Sequence, residues 1–351
     1  MLFRGLPTPG NDEALGSWLF RCSVNRRSRF SCRIHLGDRP SRWWDDIDLK
    51  YVDPDTEVPM AIARLKVAGF EVRPQALQAH FVMQSGRPVA WNYRRLYCPE
   101  CLRENVAVGQ LPMWKKSWCY EEASVCTVHG RYLEVLDDCT RYSKAWDAFV
   151  THCNTMANRD SKASPLLQRL QSTTMSIITS SFSDGNGSAQ NGVHNLFSRL
   201  YRIFLQAPYK GSLGGIARVH FSTERSRRFI EPKNLEHSFL IGPSTADSTS
   251  RFGSAMLTGA LLGIISESRY SAFARIHAAA NYNYLLPQDL HRAAKFPQLD
   301  KHGYGILHGL LGEISRTDYP LLDRHLHLQE KQYKHDGAFD GRPFGLQSRQ
   351  E

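Results

Sequence analysis

Cys98-Pro99-Glu100-Cys101 is answered, after twenty-four intervening residues, by Cys126-Thr127-Val128-His129. Two knuckles of this kind, each C-x2-[C/H], present four thiolate or imidazole donors to one tetrahedral ion. Four protein donors leave no open coordination position, so the pattern predicts one structural Zn2+, a staple and not a catalytic centre. Pro99 favours the tight turn that aims both sulfurs of the first knuckle at one point. The metal thus constrains the chain from about Tyr97 to Leu133 before any core is considered. Trp114 and Trp118 are expected to pack against the cluster, and Leu111 to Tyr120 to form a strand or packed hairpin. Cys119, close by but at the wrong spacing, reads as a core thiol.

Charge is the second constraint. The chain of 351 residues carries a formal net charge of +10 and a pI near 9.2. Between Arg21 and Arg42 seven arginines face one acid, Asp38, with Arg26, Arg27 and Arg29 at the centre. A second cluster comprises Arg218, Arg225, Arg227, Arg228 and Lys233. Arginine forks suit bidentate phosphate contacts, so nucleic acid or a ribonucleoprotein is the partner these patches fit. The alternative is a solvated basic face. The start of the chain contains no apolar h-region, and Leu257 to Ile265 is too short to span a bilayer, so no secretory signal and no membrane segment are expected. C-x2-C spacing with eight cysteines suits a reducing compartment, hence a cytoplasmic protein.

Elsewhere the pattern is helical. Asn11 to Asn25 reads as an amphipathic helix capped by Asn11 or Asp12. Leu15, Trp18, Leu19 and Cys22 form its buried stripe, with Arg21 free to reach outward. Met60 to Gly69 and Pro74 to Gln84 read as two short helices that would suit a helix-turn-helix module. Ser180 to Ser188 reads as a flexible linker. Helices are expected at Val193 to Gln206, Ser254 to Arg269, Ala272 to Tyr282 and Leu307 to Arg316, with a short one after Pro287. The polar residues from Lys331 onward are expected to fray. The fold class is therefore mainly α, with helix-turn-helix-like subdomains around a small zinc module. The expected domains are an N-terminal helical one (1–90), the zinc module (91–155), a C-terminal helical one with helix-turn-helix-like elements (156–330) and a flexible tail (331–351).

Three stretches carry a family resemblance. Pro9 is followed by Asp12-Glu13-Ala14-Leu15-Gly16-Ser17-Trp18-Leu19-Phe20-Arg21. Then come Tyr97-Cys98-Pro99-Glu100-Cys101-Leu102-Arg103-Glu104-Asn105, and Trp118 with Val125 to Gly130 and Leu133. In this order, over about the first 140 residues, the chain resembles the TniQ family of transposon target-selection proteins. Members often carry a second Cys-x1-2-Cys knuckle pair after the His-Gly-x-x-Leu segment. Here only Cys139, His152 and Cys153 stand in that region, so a second metal is not expected and Trp146 and Phe149 are expected to pack in its place.

The resemblance implies a target-site adaptor in DNA transposition. It would link a target-recognition complex, in CRISPR-associated members an RNA-guided CRISPR effector ribonucleoprotein, to an AAA+ ATPase transposition regulator. It also implies a homodimer. The alternative is a stand-alone sequence-specific DNA-binding protein directing insertion. No H-E-x-x-H, G-x-S-x-G or phosphate-loop motif is present, and the chain reads as a non-enzyme without catalytic residues.

Overall fold

The computed structural model describes residues 6–24, 53–67, 73–83, 86–153, 165–183, 188–222, 231–279, 286–312, 314–316 and 318–345. The fold is mainly helical and divides into two compact units, Met1–Lys162 and Ala163–Glu351.

In the first unit the apolar stripe of helix α1 (Leu15–Val24) is buried as its 3.6-residue spacing predicts. Leu15, Trp18, Leu19 and Cys22 pack with Val58, Ala61 and Leu65 of α2 (Val58–Val67), Leu77 and Phe81 of α3 (Pro74–Phe81), and Trp91. A second core cluster holds Cys98, Cys101 and Cys126 together with Trp114, Trp118, Leu133, Ala145 and Ala148. Ala14, one residue before α1, belongs to that second cluster. The N-terminal helix therefore lies at the seam of both cores.

Two expectations for α1 need correction. The helix begins at Leu15, not Asn11, and Asp12 does not cap it. Asp12 is held at φ 60°, where its Oδ2 accepts from the Ser117 backbone N–H (3.3 Å) and hydroxyl (2.6 Å). Tertiary partners have outcompeted the local cap. Arg21 does not reach outward either; it is 7% exposed and paired with Glu13 inside the unit.

A two-stranded antiparallel ribbon sets up the metal module. β1 (Leu96–Tyr97) pairs with β2 (Glu134–Val135), Tyr97 opposite Glu134. That register brings the residue after β1, Cys98, alongside the hairpin before β2. The α4 helix (Pro99–Ala107) follows β1, and Lys116–Cys119 forms a 3-10 turn where a strand or hairpin was expected. The short α5 (Lys144–Ala148) runs into a π-helical turn, Phe149–Cys153, that packs on α4. Phe149 is partly buried against the second core cluster, whereas Trp146, expected to pack there too, is 41% exposed.

The second unit is built around α10 (Ser248–Leu261), buried along its whole length. Around it lie α6 (Pro165–Ser183), α7 (Ser188–Phe204), α8 (Ile216–Phe221), α11 (Glu267–Ala279), α12 (Leu290–Ala293) and α14 (Pro320–His335). α9 (Leu235–Thr245) and α13 (Lys301–Leu311) pack on α7. The caps are local: Asn234, Asp247, Asp289 and Asp300 each accept a hydrogen bond from the backbone N–H three residues on.

Several boundaries differ from expectation. The helix read over Ser254 to Arg269 is two helices, broken where Gly263 takes φ 73° and supplies the left-handed residue that ends α10. The Ser-rich stretch is not all linker: Ser180–Ser183 close α6 and Ser188 opens α7, with the Ser180 and Ser181 hydroxyls donating to the Ile177 carbonyl (3.0 and 2.8 Å). Nor do the last residues fray as a whole. α14 continues to His335, and Phe344 is fully buried with its N–H on Glu330 (2.7 Å).

Candidate metal centre

The first knuckle is an N-terminal helix device. Cys98 is the N-cap of α4, Pro99 its first residue, and Cys101 one turn in, so both sulfurs face the positive end of the helix dipole. The second knuckle is a turn closed by backbone hydrogen bonds. Cys126 N–H donates to Arg131 O (2.8 Å), Gly130 N–H to Cys126 O (2.8 Å), and Leu133 N–H to Ser124 O (3.0 Å). Gly130 sits at φ 63°, a conformation glycine adopts without a Cβ clash.

The two knuckles converge. One donor atom from each of Cys98, Cys101, Cys126 and His129 lies within 4.8 Å of the others. His129 Nδ1 is 3.4, 3.3 and 3.6 Å from the sulfurs of Cys98, Cys101 and Cys126, and the Cys101 and Cys126 sulfurs are 3.6 Å apart. Zinc-length bonds arranged tetrahedrally would separate two sulfurs by about 3.8 Å and a sulfur from a nitrogen by about 3.5 Å. The donor set fits a four-coordinate ion, and all four predicted ligands are brought together.

The electrostatics are those of a ligand set. Hydrogen bonding with Cys101 and Cys98 holds the Cys126 thiol well below its ordinary range. Hydrogen bonding with Cys101 and Cys126, together with burial, pushes Cys98 up. Three sulfurs this close cannot all ionise without a cation between them. At His129 burial opposes the charged form, but hydrogen bonds to Glu104 and Cys126 outweigh it and raise the pKa.

A polar latch joins this centre to the N-terminal helix, and sequence reasoning did not find it. Glu13, fully buried, accepts from Gly10 N–H (2.8 Å), the Ser17 hydroxyl (3.1 Å) and Arg21 Nη1 (2.6 Å). Ser17 in turn accepts from Trp114 N–H (3.0 Å), and Ala14 N–H donates to Trp114 O (2.9 Å). Burial pushes the Glu13 carboxyl up against the pull of Arg21. The signal was present: Glu13, Ser17 and Arg21 recur every fourth residue, a polar stripe on one helical face. A second buried knot joins Arg94 to Asp53 and Asp55, and Asp55 also accepts from Gly16 N–H (2.7 Å). Lys144, 2% exposed, rests its ammonium 3.6 Å from the centre of the Trp91 ring.

Residues 5–133 match the TniQ family. The TniQ segment thus contains the latch and all four ligands, and it stops short of the second unit. No curated protein and no solved structure matches the chain.

The other predicted site residues fall differently. Arg26, Arg27, Arg29, Arg225, Arg227 and Arg228 lie outside the described residues. Arg218, read as part of the second basic cluster, donates inward to Leu205 O (2.9 Å), Gly242 O (2.6 Å) and the Thr245 hydroxyl (2.7 Å). Cys139 is buried and donates to Asn92 O (3.1 Å); the side chains of His152 and Cys153 lie outside the described set. Cys119 is a fully buried thiol donating to Lys115 O, consistent with a core role. No described helix is long and apolar enough to cross a membrane.

Proposed function

We propose that this chain is a target-site selection adaptor in DNA transposition. It links a target-recognition complex, an RNA-guided CRISPR effector ribonucleoprotein, to an AAA+ ATPase transposition regulator. The observation that carries this reading is the TniQ match over residues 5–133, which spans both knuckles and the latch that fastens them to α1. Zn2+ is the ion that three thiolates and one imidazole in a closed tetrahedral set select. Bound there, it supplies structure and not a reaction, because every coordination position is taken by the protein.

On this reading the chain bridges partners and performs no chemistry. Arg26, Arg27 and Arg29, with Arg225, Arg227 and Arg228, are the surfaces offered to nucleic acid or to the ribonucleoprotein. The α2–α3 pair is a helix-turn-helix-like element of the N-terminal region. A homodimer would double each surface, and avidity would turn modest contacts into stable recruitment. Free cysteines, among those described, accord with a cytoplasmic setting.

Co-purification of the full chain with a CRISPR effector complex and with the ATPase regulator tests the proposal. Binding to both supports it. Failure to bind either, with tight and steeply salt-dependent binding to one bare DNA site, would instead identify a stand-alone DNA reader.

A further inference from the structure

The two nitrogens of His129 have separate partners. Nδ1 faces the three sulfurs at 3.3 to 3.6 Å, and Nε2 lies 2.9 Å from Glu104 Oε1. A ligating imidazole is neutral and carries one N–H, which must sit on the nitrogen away from the ion. An ionised carboxylate only accepts, so Glu104 is satisfied only when Nε2 holds that proton. We infer that Glu104 is a positioning residue for the metal: it selects the tautomer that frees the Nδ1 lone pair and fixes the ring so that this lone pair meets the ion.

The placement of Glu104 supports this. It lies on α4 three residues beyond Cys101, so the helix that carries the first knuckle reaches across to orient the ligand of the second. Glu100, the other acid on that helix, is engaged differently. Its carboxylate accepts from Arg103 (3.2 Å) and from Arg131, which also binds Glu134 (3.1 Å). Glu100 thus clamps the helix to the hairpin with one oxygen and brings the other within 3.7 Å of the Cys98 sulfur, while Glu104 bonds the imidazole of the second knuckle.

Exposure makes the role separable from folding. The Glu104 side chain is 64% exposed and that of His129 19%. Truncating Glu104 opens no cavity, and an exposed ion pair contributes little to folding. Loss of an outer-sphere partner of a ligating histidine, by contrast, typically weakens metal binding about 10- to 100-fold.

The inference rests on the metal reading, and the experiment separates the two. Zn2+ affinity of the full chain is measured against a chromophoric chelator for wild type, E104Q and E104A, with Co2+ absorption as a report of ligand geometry. Circular dichroism at saturating Zn2+ checks the fold. E104A should bind Zn2+ about 10- to 100-fold more weakly and shift the Co2+ bands, while E104Q, still an acceptor for Nε2–H, retains most of the affinity. In an H129C background, where the fourth ligand has no second nitrogen to hold, E104A should cost nothing. Wild-type affinity in E104A, equal losses in E104Q and E104A, or the same loss in the H129C background would each overturn the inference. A wild-type chain that binds no Zn2+ would overturn the metal reading instead.

Discussion

The two units solve the same problem by opposite means. The first is tied by polar contacts between residues far apart in sequence: Asp12 to Ser117, Ser17 to Trp114, Asp55 to Gly16, and the four convergent candidate donors of the metal centre. The second surrounds one buried helix, α10, and caps four of its described helices with side chains three residues away. Short elements explain the contrast. Among its described residues the first unit pairs two-residue strands and carries helices of at most ten residues, which leaves little regular backbone to pack. Such a structure needs fasteners. The second has described helices of up to nineteen residues and relies more on burying their faces, with the Arg316–Glu330 pair as a fastener of its own.

Removing the metal should break the comparison most sharply. Structural zinc sites contribute about 10–16 kcal/mol to folding of the module that holds them. Chelation, or C98S, should therefore unfold the first unit and leave the second protected in hydrogen exchange. All seven tryptophans lie at or before Trp146, so tryptophan fluorescence follows the first unit alone. Equal loss of protection in both units would show that they are not independent.

The buried ion pairs come next. R94A leaves Asp53 and Asp55 facing each other without their cation and should cost about 3–5 kcal/mol, read as a lowered denaturation midpoint by tryptophan fluorescence. A change within error would mean that water compensates the carboxylates and that this knot is no fastener.

Acid should probe the second unit. Burial, with a further push from His291, depresses His325 to about 3, and burial with His220 depresses His277 to about 4. Both therefore stay neutral in the folded state below the ordinary histidine value. The unfolded chain takes up those protons from about pH 6.5 downward, so stability is full above that pH and falls as pH drops towards the folded values. At pH 4.5 His325 alone should cost about 2–3 kcal/mol. Denaturant melts of wild type and H325L, followed by histidine NMR and far-UV circular dichroism at pH 7 and 4.5, check this. The leucine variant should lose less stability on acidification; identical slopes would remove His325 from the account.

The smallest effect concerns the local caps. D300A removes the acceptor for Gly303 N–H at the start of α13 and should cost about 1 kcal/mol, measured by the same melts. A loss several times larger would show that α13 also depends on distant contacts, which would blur the contrast.

Much of this protein is written locally. The knuckle spacing determined which four donors come together, because tetrahedral coordination admits few arrangements of donors and chain. The stripe Leu15, Trp18, Leu19 and Cys22 determined the buried face of α1, because helical period is a local property. Tertiary structure alone decided the rest. Arg21 turned inward because Glu13 was buried beside it, and Asp12 gave up its cap because Ser117 offered two donors. Arg218 met the Gly242 carbonyl, and Phe344 packed where a frayed tail was expected. In each case the deciding partner was distant in sequence or recruited only once the core had closed. Local propensity is worth tenths of a kcal/mol to about one per residue, less than a buried charge or an unmet hydrogen bond, so the distant partner wins.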